Sequence, residues 1–184
     1  MDIRLSSLLL ALVACGLTCA ATAASPARAP AALETVAERS GFRITGRYGE
    51  VERLCLAFEK AYSQAVRCTE FGRTPEGRPL HALVISRSGA LTPEEARERN
   101  VPVMLMQGGI HAGEIDGKDA GFLAVREMLS GKLAPKALDS VVLVFVPVFN
   151  ADGHERFGRW NRPNQNGPEE MGWRVTSQNL NLNR

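Results

Sequence analysis

His111 and Glu114 stand three residues apart in the run His111-Ala112-Gly113-Glu114. At the first turn of a helix this spacing puts an imidazole and a carboxylate on one face. Both can then approach one zinc ion, which takes nitrogen and oxygen ligands at about 2.0–2.2 Å. The same residues also suit a loop His beside a Glu that caps a helix, so the surrounding elements must decide. Two further segments carry groups that handle negative charge. One is Arg159-Trp160-Asn161-Arg162-Pro163-Asn164-Gln165-Asn166-Gly167, and the other is Gln178-Asn179-Leu180-Asn181-Leu182-Asn183-Arg184. Guanidinium groups there suit a bidentate clamp on a terminal carboxylate, or stabilisation of the oxyanion of a tetrahedral intermediate. The composition equally suits a solvated polar loop.

The elements that would position these groups follow from periodicity. Val101-Pro102-Val103-Met104-Leu105-Met106 and Val141-Val142-Leu143-Val144-Phe145-Val146 are near-continuous apolar runs, as expected of strands buried on both faces. Between them, residues 114–130 are predicted to be a helix with Ile115, Phe122, Val125 and Leu129 on one face, and with Gly117 and Gly121 allowing close packing. Strand, helix, strand makes a βαβ unit with parallel strands. The loops at Gln107–His111 and Phe149–Gly153 then open at one sheet edge, where ligands of open α/β sheets bind. Asn150-Ala151-Asp152-Gly153 itself reads as a turn that launches the next segment across that edge. Upstream, Val51, Leu54, Cys55, Phe58 and Tyr62 mark an amphipathic helix from Tyr48 to Tyr62. Strands at Ala65–Thr69 and Leu80–Ile85 follow, separated by a turn at Gly72–Arg78.

Residues 1–23 read as a signal peptide with cleavage after Ala23, and 24–42 as a linker. The apolar run Leu8–Ala14 is shorter than the roughly 20 residues needed to span a bilayer, so no transmembrane span is expected. Leu12-Val13-Ala14-Cys15 also resembles a bacterial lipoprotein box, which leaves open a lipid anchor at Cys15 and a membrane-anchored alternative to a secreted or periplasmic protein. Cys55 and Cys68 are the pair left after the leader; an oxidising compartment suits a disulfide between them, and two buried thiols are the alternative. The net charge of +2, with no concentrated Lys or Arg stretch, gives no electrostatic case for a nucleic-acid partner.

Residues 43–184 resemble the zinc carboxypeptidase family, the carboxypeptidase A-like metallopeptidases. The resemblance runs through the Gly-x-x-x-x-Gly-Arg turn at 72–78, Gly-Gly-Ile-His-Ala-Gly-Glu at 108–114, Asn-Ala-Asp-Gly at 150–153 and Asn181-Leu182-Asn183-Arg184. It implies an α/β fold, a three-layer α/β/α sandwich with a mixed, largely parallel sheet, truncated at the C-terminus. It implies zinc (Zn2+) as cofactor, His111 and Glu114 as two of three metal ligands, and Asn183 and Arg184 as the binders of a substrate's C-terminal carboxylate. Arg162 is implied as the catalytic arginine that polarises the scissile carbonyl, with Arg159 in reserve. The implied substrate is a peptide or protein C-terminus.

Two departures from the family pattern stand out. Asn181 replaces an Asp that hydrogen-bonds the ligand His, so the acceptor there lacks charge. The family's third ligand His, its substrate-capping Tyr and its Glu base fall later than Arg184, so this stretch alone is expected to be inactive. His81 and His154 match no ligand position. The rival readings are a zinc-dependent deacylase of small N-acyl amino acids, a non-catalytic exported binding module, and an incomplete product. The long segment between Gly167 and Asn181 favours a peptide-sized cleft over the deacylase.

Overall fold

The computed structural model describes residues 31–184. The expected signal peptide, its cleavage point and Cys15 lie outside the described residues. Helices α1 (Val36–Arg39) and α2 (Tyr48–Ala61) come first, then strands β1 (Val66–Arg73) and β2 (Pro79–Ile85). Helix α3 (Pro93–Glu98), strand β3 (Val103–Gln107), helices α4 (Asp116–Leu129) and α5 (Ala137–Ser140), strand β4 (Val142–Val146) and helix α6 (Ala151–Glu155) complete the order. Among the described residues, no helix is long and apolar enough to cross a membrane.

The four strands form one sheet in the order β1-β2-β4-β3. The sheet is mixed, as expected, but only β3 and β4 run parallel; β1–β2 and β2–β4 are antiparallel. Alternation along the central strands divides the core. Leu83, Ile85, Leu143 and Phe145 pack with Leu54 and Phe58 of α2 and with Phe122, Val125 and Leu129 of α4. Phe58 stacks on Phe122, whose ring meets Phe145 edge-on. Val84, Val142 and Val144 instead pack with Ala90 and with Ala96 of α3. The result is the expected three layers, two long helices on one face and α3 on the other. Pro93 in the first turn and a Thr92–Glu95 capping box start α3 despite its six residues.

Three features depart from the sequence expectations. Strand β3 is not buried on both faces: Val103, Met104 and Leu105 are 57%, 51% and 60% exposed. An apolar run is buried only where neighbours cover it, and among the described residues β3 pairs with β4 alone. Helix α4 begins at Asp116, two residues later than expected, and Asp116 and Asp119 occupy its positive N-terminal turn. Within the stretch read as a linker, Leu33 and Ala37 are buried. Arg126 of α4 donates to the Leu33 carbonyl and pairs with Glu38, tying these residues to the helical layer.

The expected disulfide is present. Cys55 of α2 bonds Cys68 of β1 with a Cα–Cα distance of 5.2 Å.

Candidate metal centre

The carboxyl ends of β3 and β4 meet, as the βαβ reading requires. Gly108 donates to the Val146 carbonyl at 2.8 Å, and Asn150 donates to the Gly109 carbonyl at 2.9 Å. A Cβ on Gly108 would lie 2.7 Å from the Pro147 carbonyl oxygen, so only glycine permits this approach. The two loops therefore form one rigid edge.

His111–Glu114 sits on that edge in a turn rather than in a helix. The Glu114 amide donates to the His111 carbonyl at 2.9 Å, which closes the four residues before α4 starts. The consequence expected of a helical turn is nevertheless realised: His111 Nδ1 lies 3.2 Å from Glu114 Oε1. Gly113 is required at the third position. A Cβ there would stand 2.6 Å from the Gly172 carbonyl oxygen and 2.8 Å from Arg162 Cγ. Segment 172 and the Arg162 stem thus lie directly on the turn.

The His111 ring is buried, and its Nε2 lies 3.1 Å from the Leu182 carbonyl oxygen. That oxygen can only accept, so Nε2–H donates. Nδ1 faces the carboxylate oxygen: an imidazolium donates to Glu114 there, and in a neutral ring the same two atoms are a pair of ligand atoms that one metal ion could share. Two ligands about 2.0–2.2 Å from one tetrahedral zinc stand roughly 3.3–3.6 Å apart, close to the observed spacing. The pair fits one edge of a zinc shell. Among the described residues no group of three His, Cys, Asp or Glu side chains could hold a metal ion, so they supply two donors. The carbonyl that orients His111 belongs to Leu182, and the hydrogen bond expected from Asn181 is not among those formed.

Two guanidinium groups converge on Glu114. Arg162 Nη2 is 2.9 Å from Oε1, and Arg174 Nη1 is 3.8 Å from the same oxygen. Burial pushes the Glu114 carboxyl up, but the hydrogen bond and charge of Arg162, with His111, outweigh it and hold the group below its ordinary range. Arg162 Nη1 is buried without a partner among the described residues, leaving a donor spare at the site. Gln165 donates to the Gly113 carbonyl at 3.1 Å and fixes the Arg162 loop over the turn.

The other sequence candidates form no hydrogen bond or ion pair with His111 or Glu114. The Arg159 guanidinium stacks 5.3 Å over Trp160 and pairs with none of these groups. Arg184 donates to the Asn183 carbonyl at 2.6 Å, and both residues are exposed. From that terminal segment, the Leu182 carbonyl hydrogen-bonds His111. Arg174 was not singled out in the sequence, because nothing local marks it. Its approach depends on how segment 171–177 lies against α6.

Comparison with known proteins bears on the family and the fold. A family model described as zinc carboxypeptidase matches residues 51–184. The inactive metallocarboxypeptidase ECM14 of Saccharomyces cerevisiae is 34% identical over 124 residues, which are 62% of this chain and 28% of that protein. Bovine thrombin-activatable fibrinolysis inhibitor, solved in complex with tick carboxypeptidase inhibitor, shares the fold at a TM-score of 0.52 and 20% identity, over 71% of this chain and 36% of that one. A candidate carboxypeptidase A from Shewanella denitrificans does so at a TM-score of 0.53 and 17% identity, over 74% and 30%. The chain spans from 28% to 36% of the length of these proteins. With the match covering residues 51–184, the chain belongs to the zinc carboxypeptidase family.

Proposed function

We propose that residues 43–184 carry part of the active site of an exported metallocarboxypeptidase, secreted or periplasmic, that removes residues from peptide C-termini. The observation that carries this reading is the 3.2 Å approach of His111 Nδ1 to Glu114 Oε1, with the Leu182 carbonyl holding the far side of the ring. His111 and Glu114 would supply two of the ligands that hold zinc. Zinc, when bound, supplies Lewis acidity toward the scissile carbonyl and activates water.

The remaining roles belong to the chain itself. The Leu182 carbonyl fixes the tautomer and orientation of His111. The Arg162 guanidinium, with its spare Nη1 donor, meets negative charge as it develops on the carbonyl oxygen. Asn183 and Arg184 bind the substrate's terminal carboxylate. A general base and a third donor are required as well. The described residues offer no such donor set, so the reaction is proposed for a protein that adds them to this unit.

The test is a zinc titration followed by the His111 ring nitrogens in 15N NMR. A shift at Nδ1 that disappears in Glu114→Gln supports the pair as ligands. An unmoved Nδ1 at saturating zinc overturns the assignment.

A second reading has one specific observation behind it. The yeast relative is named an inactive metallocarboxypeptidase. A non-catalytic binding role keeps the carboxylate-binding groups without turnover. Chelator-sensitive release of C-terminal amino acids separates the two.

A further inference from the structure

We propose that Asp152 is a positioning residue of the His111–Glu114 site, acting through Ser177 to set the segment that carries Arg174 and Leu182. The Asp152 side chain is 2% exposed and both its oxygens are used. Oδ1 accepts from the Thr74 hydroxyl at 2.7 Å and from Arg78 Nη1 at 2.6 Å. Oδ2 accepts from the Glu76 amide at 3.2 Å and from the Ser177 hydroxyl at 2.9 Å. One buried carboxylate thus joins three stretches of chain: the β1–β2 turn, α6 and the loop that follows residue 171. Burial pushes the carboxyl up, yet the hydrogen bonds from Thr74, Arg78, Ser177 and the Glu76 amide hold it below its ordinary range, so it is ionised and its bonds are charge-assisted.

Ser177 is the middle of the segment that meets the site. On one side of it, Arg174 reaches Glu114; on the other, the Leu182 carbonyl holds His111. Neighbouring contacts pin the same loop to α6. The Trp173 amide donates to the Gly153 carbonyl at 2.7 Å, Asn150 Nδ2 donates to the Arg174 carbonyl at 3.4 Å, and Arg156 Nη2 donates to the Ser177 carbonyl at 3.2 Å. Beyond Ser177 the chain closes on itself: the Thr176 amide donates to the Leu180 carbonyl and the Asn179 amide returns to the Thr176 carbonyl, both at 3.0 Å. Leu182 follows this closed turn directly. Displacing Ser177 therefore moves the acceptor that orients the His111 ring. Gly153 belongs to the same device, because a Cβ there would lie 2.4 Å from the Val175 carbonyl oxygen and push the loop off α6.

The functional meaning of this positioning rests on the metal-pair reading above, but its test uses neither zinc nor substrate. The full chain, 15N-labelled, is compared with Ser177→Ala, Ser177→Thr and Asp152→Asn. Ser177→Ala leaves the bonds of Asp152 to Thr74 and Arg78 intact and removes only the tether. Loss of that bond is expected to shift the His111 Nε2 resonance and to speed hydrogen exchange at the Thr176 amide roughly tenfold or more. Ser177→Thr, which keeps the hydroxyl, is expected to restore both. Asp152→Asn is expected to match Ser177→Ala with added loss at the β1–β2 turn. A purely structural role for Asp152 would lower the unfolding temperature of Asp152→Asn while leaving the His111 signals of Ser177→Ala where they are. That result overturns the proposal, even if Asp152→Asn does not fold.

Discussion

The Arg162 guanidinium lies 2.9 Å from Glu114 Oε1, the same oxygen that faces the His111 ring. A cation at this distance lowers a carboxyl pKa by favouring its charged form. Arg162→Gln is therefore expected to raise the Glu114 pKa, read by 13C NMR of the labelled carboxyl. In a protein with turnover, the same substitution is expected to cost roughly 10²–10³ in rate, the scale for removing one oxyanion donor. A Glu114 titration unchanged in the variant contradicts the contact.

Zinc binding should reflect the donor count. Three protein ligands are the minimum for catalytic zinc, and the described residues bring two together. The chain is expected to bind zinc weakly, with His111→Ala abolishing the binding that remains. Titration calorimetry decides the matter. Tight binding that survives His111→Ala would place the metal elsewhere, with His81 or His154 the first suspects.

Much of the frame was legible in the sequence. The apolar runs at 101–106 and 141–146 marked parallel neighbours, and the loops after them do meet at one edge. Periodicity found α2 within one residue of its C-terminal end. Edge position was not legible, because exposure of β3 depends on what packs beside it and not on its own residues. Nor was the partnership of Asp152. Its ligands at Thr74 and Ser177 are distant in sequence, and Asn-Ala-Asp-Gly looks like any turn. In the structure Asn150 caps α6 by accepting from the Gly153 amide, so the turn residues start a short helix. Arg162 was separated from Arg159 only through a family resemblance; the structure brings Arg162, and not Arg159, to Glu114.

Gly121 is where α4 meets the sheet. A Cβ there would stand 2.4 Å from Phe145 Cζ and 2.6 Å from Cε2. Phe145 is fully buried against Phe122, so its ring has little room to retreat. Gly121→Ala removes a helix-weakening glycine, which would stabilise by up to about 1 kcal/mol if space allowed. Overpacking costs about 1–3 kcal/mol and is expected to win. Urea unfolding at neutral pH checks the sign; a more stable variant contradicts this packing.

The Cys55–Cys68 disulfide closes a loop with a sequence separation of 13 between α2 and β1. By the chain-entropy account, a loop of this length contributes about 3 kcal/mol by restricting the unfolded chain. The double variant Cys55→Ala/Cys68→Ala is expected to lose about that much, or roughly 6–12 °C in Tm for a chain of this size. Differential scanning calorimetry of both proteins provides the comparison. Equal midpoints would show that the bond adds nothing to the fold.

His154 makes stability depend on pH. The residue is 1% exposed, its Nδ1 is 3.3 Å from Glu155 Oε1, and its Nε2 is buried without a partner among the described residues. The Tyr48 and Phe157 rings meet it in T-shaped contacts. Burial lowers its pKa from the ordinary 6.5, and the Lys118 charge adds to this, while Glu155 and Asp119 act in the opposite sense. The unfolded chain takes up a proton near pH 6.5, and the folded chain does so only at lower pH. Below 6.5 the unfolded state therefore binds more protons, and stability falls as pH falls toward the folded value. The contribution is fully present above the unfolded pKa, and its slope is at most about 1.4 kcal/mol per pH unit. Urea denaturation at pH 7.5 and pH 5.5, for the native chain and His154→Gln, isolates this residue from the carboxylates that titrate lower. The native chain is expected to lose more stability than the variant over that interval, and equal losses would show that His154 is not held neutral by the fold.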